Sequence, residues 1–388
     1  MTYIPKENFQ HHPFHLVSPS PWPLYTSISL FILTTSTVLF MHGFESFDYL
    51  VFISVINVIY SMGLWFRDII SEGTKKIKEI VSHNIKFASA IDTKTIEQIK
   101  NDINKDKITN DQFKYYLSGL FEGDGHLSLP FLGKTLLNRV LNPRIVFTSH
   151  INNIELYVYI QYMLNGKGRF QKVNDNTIRF IIGDIEGIKL IISFIHSKLR
   201  TPKNENFNKL IDFINKKYNL SIPFSPLDES DLSKNSWFTG FTEADGHFGI
   251  KIVEAKAKSD TRIRSVSNSI SIKFRLNQCY NDNISSISML NIMDKLAKFL
   301  DCKLSIFEIK TGKVLSLNVS SIDKIGFIIN YFNIYPLLGS KSYDFEDWKI
   351  VYNMILEKKH LTDEGRSKIN LIQSNMNSKR IYNNKYKI

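Results

Sequence analysis

The decapeptide LSGLFEGDGH at 117–126 returns as FTGFTEADGH at 238–247. Aligned without gaps, the copies agree at Gly119/Gly240, Glu122/Glu243, Asp124/Asp245, Gly125/Gly246 and His126/His247. Exchanges of Leu for Phe, Ser for Thr and Gly for Ala keep the chemical class. Asp124 and Asp245 stand 121 residues apart, the span of one small domain. A repeat of that size, with one aspartate per copy at a helix end, predicts two lobes that share an acidic centre.

Local signals place the motifs on helices. Asn110 or Asp111 is expected to cap a helix through FKYYLSGLFEGDG, and Ser233 one through KNSWFTGFTEADG. Ser118, Gly119 and Gly123 recur as Thr239, Gly240 and Ala244. Small residues four apart share one helix face and let a second backbone come close. Leu117, Leu120 and Phe121 suit the lobe's own core, and Gly125 and Gly246 are expected to end the helices in a left-handed conformation. Beyond each motif the same order recurs. Two alternating segments come first, HLSLPF with NPRIVFTSH and HFGIKIVEAKAK with RIRSVSNSISIKFRLNQ. A helical stretch, a second strand pair and a last helix follow, so each lobe reads αββαββα, an α/β (α+β) class. The lobes are expected at 109–218 and 233–360, joined by 219–232, where Pro223 and Pro226 break any helix.

Charge divides the chain differently. Residues 1–73 carry a balance of −3 and residues 74–388 one of +15. The basic remainder points to a polyanion partner. Residues 24–41 and 49–66 are uncharged runs, each close to the length of a membrane span. No basic start or cleavage site marks a signal peptide. His11, His12 and His15 lack an acidic or cysteine partner at ligand spacing, and Cys279 and Cys302 match no paired zinc spacing. Polar residues 75–108 read as a linker, and 361–388 as a basic tail, flexible or docked on the surface.

Two resemblances sharpen this reading. HHPFHLVSPSPWPL at 11–24 and LWFRDIISEGT at 64–74 resemble the start of cytochrome c oxidase subunit III, over roughly residues 3–74. That resemblance implies an exon segment of two transmembrane helices at 1–74, intron-encoded fusion and translation in a mitochondrion. The lysine-rich stretch near 75–78 is a candidate boundary for release of the remainder. The paired motifs resemble those of single-chain, two-motif LAGLIDADG homing endonucleases, over roughly 110–360. This implies two pseudo-symmetric lobes acting as a monomeric pseudo-dimer. Antiparallel, saddle-shaped sheets would lie on double-stranded DNA, with the motif helices at the symmetry axis.

The acidic pair has its own logic. A carboxylate at a helix C-terminus faces the negative end of the dipole, and two brought together repel. Cations between them would remove both penalties, and hard oxygen ligands favour Mg²⁺. Asp124 and Asp245 are therefore assigned as metal ligands and catalytic residues, with two or more divalent ions activating water and stabilising the departing 3′ oxygen. Glu122 and Glu243 are assigned a supporting, structural role. LRTPKNENF at 199–207 aligns with LLGSKSYDF at 337–345, pairing Lys203 with Lys341. Both match the family's lysine near the scissile phosphates. Gln278 matches a polar residue that positions solvent in the family, and His150 is taken as its counterpart, so the half-sites are expected to be inequivalent. DNA contacts are expected from the strand residues Arg139, Arg144, Lys172, Arg179, Arg262, Arg264, Lys273, Arg275, Lys303 and Lys310. The expected activity is site-specific cleavage of both DNA strands at the intronless exon junction, in service of intron mobility. The alternative is an RNA maturase that helps the host intron splice; an aspartate in both motifs, with a lysine in both repeats, favours cleavage.

Overall fold

The computed structural model describes residues 21–44, 47–87, 89–91, 93–103, 108–130, 142–255, 268–282, 284–309, 312–380 and 382. His11, His12, His15, Arg139, Arg262, Arg264 and Lys310 fall outside them. The chain divides into two compact units, Met1–Lys86 and Phe87–Ile388.

The first unit contains helices α1 (Trp22–Met41) and α2 (Phe47–Phe87). Trp22–Met41 and Phe47–Ile69 are long and apolar enough to cross a membrane. Their buried positions include Ser29, Ser36, Ser54 and Ser61, whereas Phe31, Val38, Phe52 and Ile59 face outward. Ser29, Ser54 and Ser61 each bond a carbonyl within their own helix.

In the second unit a two-residue strand β1 (Ser89–Ala90) and helix α3 (Thr93–Asp102) precede the lobes. Lobe 1 comprises α4 (Asn110–Asp124), β2 (Gly125–Ser128), β3 (Arg144–His150), α5 (Ile154–Met163), β4 (Arg169–Asn174), β5 (Thr177–Ile182), α6 (Ile185–Ile195) and α7 (Lys203–Tyr218). Lobe 2 repeats it as α8 (Trp237–Asp245), β6 (Gly246–Val253), β7 (Ser269–Cys279), α9 (Leu290–Phe299), β8 (Leu304–Ile309), β9 (Gly312–Val319), α10 (Ile322–Ile334) and α11 (Lys341–Leu356), then adds α12 (Asp363–Ser374). Both sheets are antiparallel, in the orders β1-β4-β5-β3-β2 and β6-β7-β9-β8. The two-lobed αββαββα architecture is thus present, with one further helix in each copy. In α7, Phe207, Leu210, Ile211 and Ile214 are buried at helical spacing. The basic tail docks on lobe 2: Gln373 bonds Ile250 O at 2.8 Å, and Arg380 pairs with Asp344 at 2.8 Å and Asp347 at 2.5 Å.

Alternation gives each sheet one covered and one open face. Ile145 and Phe147 of β3 and Phe274 and Leu276 of β7 are buried beneath the helices, while Arg144, Thr148 and Asn277 are exposed. The caps differ from expectation. Thr109, rather than Asn110 or Asp111, caps α4 through the Gln112 amide, and Ser233 lies within a 3₁₀ turn before α8 starts at Trp237.

Candidate active site

The site begins with a close crossing of α4 and α8. A Cβ on Gly119 would stand 2.1 Å from Trp237 O, and one on Gly240 would stand 1.9 Å from Tyr116 O. Only glycine lets the two backbones come this near. Gly125 and Gly246 serve differently from the expected left-handed ending. Their φ values are −72° and −73°, and both are extended. What they lack is room, since their Cβ atoms would lie 2.5 Å from Phe121 O and 2.8 Å from Thr242 O. The chain therefore passes straight from the helix into β2 or β6, leaving Asp124 and Asp245 at the seam.

The seam brings the two carboxylates together. A Cβ on Gly123 would sit 3.0 Å from Asp245 Oδ2, so the second lobe's aspartate lies on the last turn of α4. Burial pushes Asp124 up to about 6, the charge of Asp245 pushes the same way, and Lys341 and Lys203 oppose. Asp245 is also raised by burial, but the Gln278 amide and the lysines pull it back. Gln278 Nε2 donates to Asp245 Oδ2 at 2.7 Å. Two hard carboxylates that disfavour each other's charge fit a small divalent cation. Among the described residues, no three His, Cys, Asp or Glu side chains gather at one point. An ion held here would complete its coordination with water and substrate oxygens, as Mg²⁺ does.

Lys203 and Lys341 each cap a helix end. Lys203 Nζ donates to Phe121 O at 3.1 Å, Gly123 O at 3.4 Å and Gly125 O at 2.8 Å. Lys341 Nζ donates to Thr242 O at 2.9 Å, Ala244 O at 3.1 Å and Gly246 O at 2.7 Å. An ammonium has three donors, and both lysines spend all three on carbonyls that end a motif helix. Burial lowers both, while nearby carboxylates hold the charge in place. Their positive charge opposes the dipole that an aspartate at this end would otherwise meet.

Glu122 and Glu243 lock this arrangement, as their assigned supporting role requires. Glu122 Oε1 accepts from the Arg200 and Thr201 amides at 2.8 and 2.5 Å, and Oε2 from Trp237 Nε1 at 2.6 Å. Glu243 Oε2 accepts from the Leu338 and Gly339 amides at 3.1 and 3.2 Å and from Tyr116 Oη at 3.2 Å. Each glutamate thus anchors the turn before its own lysine and takes a donor from the opposite lobe. Tyr116 and Trp237 occupy equivalent positions, one before each motif, and sequence gave them no role.

Strand register corrects one pairing. Gly125 faces Phe147 across β2 and β3, and Gly246 faces Leu276 across β6 and β7. Two residues on, the counterpart of Gln278 is Ser149, not His150. The alternation of side chains turns His150 to the open face, where its Nδ1 accepts from the Asn152 amide at 3.3 Å. Ser149 Oγ instead accepts from Asn153 Nδ2 at 2.9 Å, and Asn153 Oδ1 accepts from the Ser340 amide at 2.9 Å.

The open faces carry the cations. Arg144 and Arg179 are exposed there in lobe 1, and Lys273 and Arg275 are half-buried there in lobe 2, with Lys303 exposed just before β8. Lys172 is a correction: it pairs with Ile178, on the covered face, and its Nζ lies 3.4 Å from Asp175. Arg169 and Lys251 are exposed on the open faces and escaped the sequence reading, although strand alternation marks them. His126 and His247, shared by both motifs, also open onto these faces. A cavity of about 620 Å³ at the far end of lobe 1 is lined by Arg144, Lys167, Arg169 and Asp184.

Known proteins resemble both parts of the chain. A family model described as LAGLIDADG endonuclease matches residues 117–214 and 238–352, and one described as cytochrome c oxidase subunit III matches residues 12–91. Cytochrome c oxidase subunit 3 of Emericella nidulans is 80% identical over 74 residues, 19% of this chain and 28% of that protein. Intron-encoded DNA endonuclease aI3 of Saccharomyces cerevisiae is 27% identical over 285 residues, 67% of this chain and 66% of that protein. The chain therefore spans less than two thirds of either relative. The I-LtrWI LAGLIDADG homing endonuclease, solved bound to target DNA, shares the fold with a TM-score of 0.52 and 23% identity, covering 70% of this chain and 100% of that one.

Proposed function

The chain belongs to the LAGLIDADG endonuclease family, and we propose that it cuts both strands of double-stranded DNA at a specific site by Mg²⁺-dependent phosphodiester hydrolysis. One observation carries the proposal: two solvent-accessible aspartates, one from each lobe, meet at a glycine-sealed helix crossing. The aI3 relative is named as a DNA endonuclease and the I-LtrWI neighbour is bound to target DNA, which supports the same reading.

Asp124 and Asp245 would hold the divalent ions, which when bound supply activation of water and neutralisation of charge on the leaving 3′ oxygen. Hydrolysis adds water oxygen to phosphorus and breaks the P–O3′ bond, leaving a 5′ phosphate and a 3′ hydroxyl. Gln278 keeps Asp245 oriented. Lys203 and Lys341 act by holding the helix ends beneath the carboxylates. The open-face cations Arg144, Arg179, Lys273, Arg275 and Lys303, with Arg169 and Lys251, would bind phosphates and base edges. The subunit III-like segment supports an intron-encoded origin in a mitochondrion, with α1 and α2 in the inner membrane and the nuclease in the matrix. Cleavage of the uninterrupted exon junction would then serve intron mobility.

The test uses the full chain in detergent micelles and a plasmid carrying the joined subunit III exons. With Mg²⁺ the plasmid is expected to be cut at one site, and Asp124→Asn or Asp245→Asn is expected to abolish cutting while DNA binding persists. Tight binding of the host intron RNA with no cutting would instead favour the maturase.

A further inference from the structure

Three strands of lobe 2 carry an apolar row on the open face. Cys279 of β7 faces Val314 of β9, and Val314 faces Phe307 of β8. Cys279 is exposed, Val314 is half-buried, and Phe307 and Ile309, two residues apart on the same face, are 42% and 49% exposed. The row lies beside the acidic centre, because Cys279 follows Gln278, which bonds Asp245. Lobe 1 repeats the register with different chemistry. Phe147 faces Gly125 as Leu276 faces Gly246, and three residues on His150 faces Thr177, which faces Asn174. One copy thus offers hydrogen-bonding side chains where the other offers carbon and sulfur.

We infer that this row reads thymine: on the endonuclease reading above, the half of the target under lobe 2 carries a thymine beside the cut, and its C5 methyl packs on Phe307 and Val314. Among the groups that a duplex presents in the major groove, the thymine methyl is the apolar one. Phosphates and the other base edges would lose water against this row and gain no partner. The arginines and lysines of the same face supply phosphate contacts and guanine contacts, and the row adds a preference that they cannot express. Phe307 and Val314 determine specificity here and take no part in the hydrolysis.

The experiment uses the full chain in detergent micelles and a duplex spanning the joined exons, with binding measured before Mg²⁺ is added. Each thymine is replaced in turn by uracil, which removes the C5 methyl alone. One thymine near the cut is expected to lose about fourfold in affinity, the worth of one methyl group taken out of water. F307N/V314T, which gives lobe 2 the residues that lobe 1 has at 174 and 177, should weaken binding of the natural duplex by a similar factor and erase the uracil effect. Should the double variant unfold, Phe307→Asn alone decides the matter, because Phe307 is exposed on an outer strand. A duplex in which no thymine responds would overturn the inference alone, as would a uracil effect that survives in F307N/V314T. A wild-type dimer that F307N/V314T dissolves, with every uracil tolerated, would also overturn it and give the row to a second copy of the chain. A chain that neither binds nor cuts the duplex would overturn the endonuclease reading and this inference with it.

Discussion

At the helix crossing, nearly every contact is made twice; at the neighbouring strand ends, hardly any is. Lys203 and Lys341 bond three equivalent carbonyls each, and Gly119 and Gly240 each meet the other helix's backbone. A few ångströms away Gln278 reaches Asp245, while Ser149 turns to Asn153. Backbone packing explains the contrast. A crossing this tight accepts one solution, and both lobes must supply it together. Strand-end side chains border a space that substrate would fill, and each half has settled its own hydrogen bonds. The glutamates sit between these extremes: Glu122 accepts through both oxygens, and Glu243 accepts all its bonds through Oε2.

The largest effect should come from the crossing. Gly119→Ala and Gly240→Ala are each expected to cost about 4 kcal/mol in chemical denaturation, above the usual overpacking range because the obstacle is backbone. A tolerated change at one position alone would break the claimed symmetry. Next come the glutamates. Glu122→Gln must aim its amide nitrogen at a donor and should lose about 3 kcal/mol, whereas Glu243→Gln can keep its oxygen on the Oε2 side and lose about 1 kcal/mol. Equal losses would erase the distinction between them.

Asp124→Asn should act in the opposite direction. The folded value of Asp124, about 6, lies above its ordinary 3.8, so folding favours the protonated acid. That stabilising contribution is complete below pH 3.8 and is lost as pH rises through about 6. The neutral asparagine should therefore gain about 2 kcal/mol at pH 8, and the gain should vanish toward pH 4, read from melting temperatures without divalent ions. Asp245→Asn should gain less, because Gln278 already offsets part of the burial. Added Mg²⁺ is expected to raise the melting temperature of the wild-type chain and of neither variant. The smallest effect separates the two faces of one sheet. Arg179→Ala should weaken DNA binding by about 1 kcal/mol with a shallower salt dependence, and Lys172→Ala should leave both unchanged.

Much of this was written in the chain. Duplication of Gly119, Asp124 and Lys203 as Gly240, Asp245 and Lys341 announced two lobes and an acidic seam, because repeated spacing survives without knowledge of distance. Alternation exposed most of the cationic face. Register did not show, and a slip of one residue put His150 where Ser149 stands. The fate of the lysines was hidden for another reason. A sequence indicates that a cation lies near an anion, but three carbonyls at a helix end carry no residue signature. Tyr116 and Trp237 differ in type, so their common service to the opposite glutamate emerged only from the crossing itself.

Helix α2 runs unbroken from Phe47 to Phe87 and includes the lysine-rich stretch 75–78 expected as a boundary. Endopeptidases grip several residues of extended chain, so scission at 75–78 would first require unwinding of the coil. Mass spectrometry of the organellar product is therefore expected to find no amino terminus at those positions. A fragment starting there would mean that this stretch of helix gives way in the organelle.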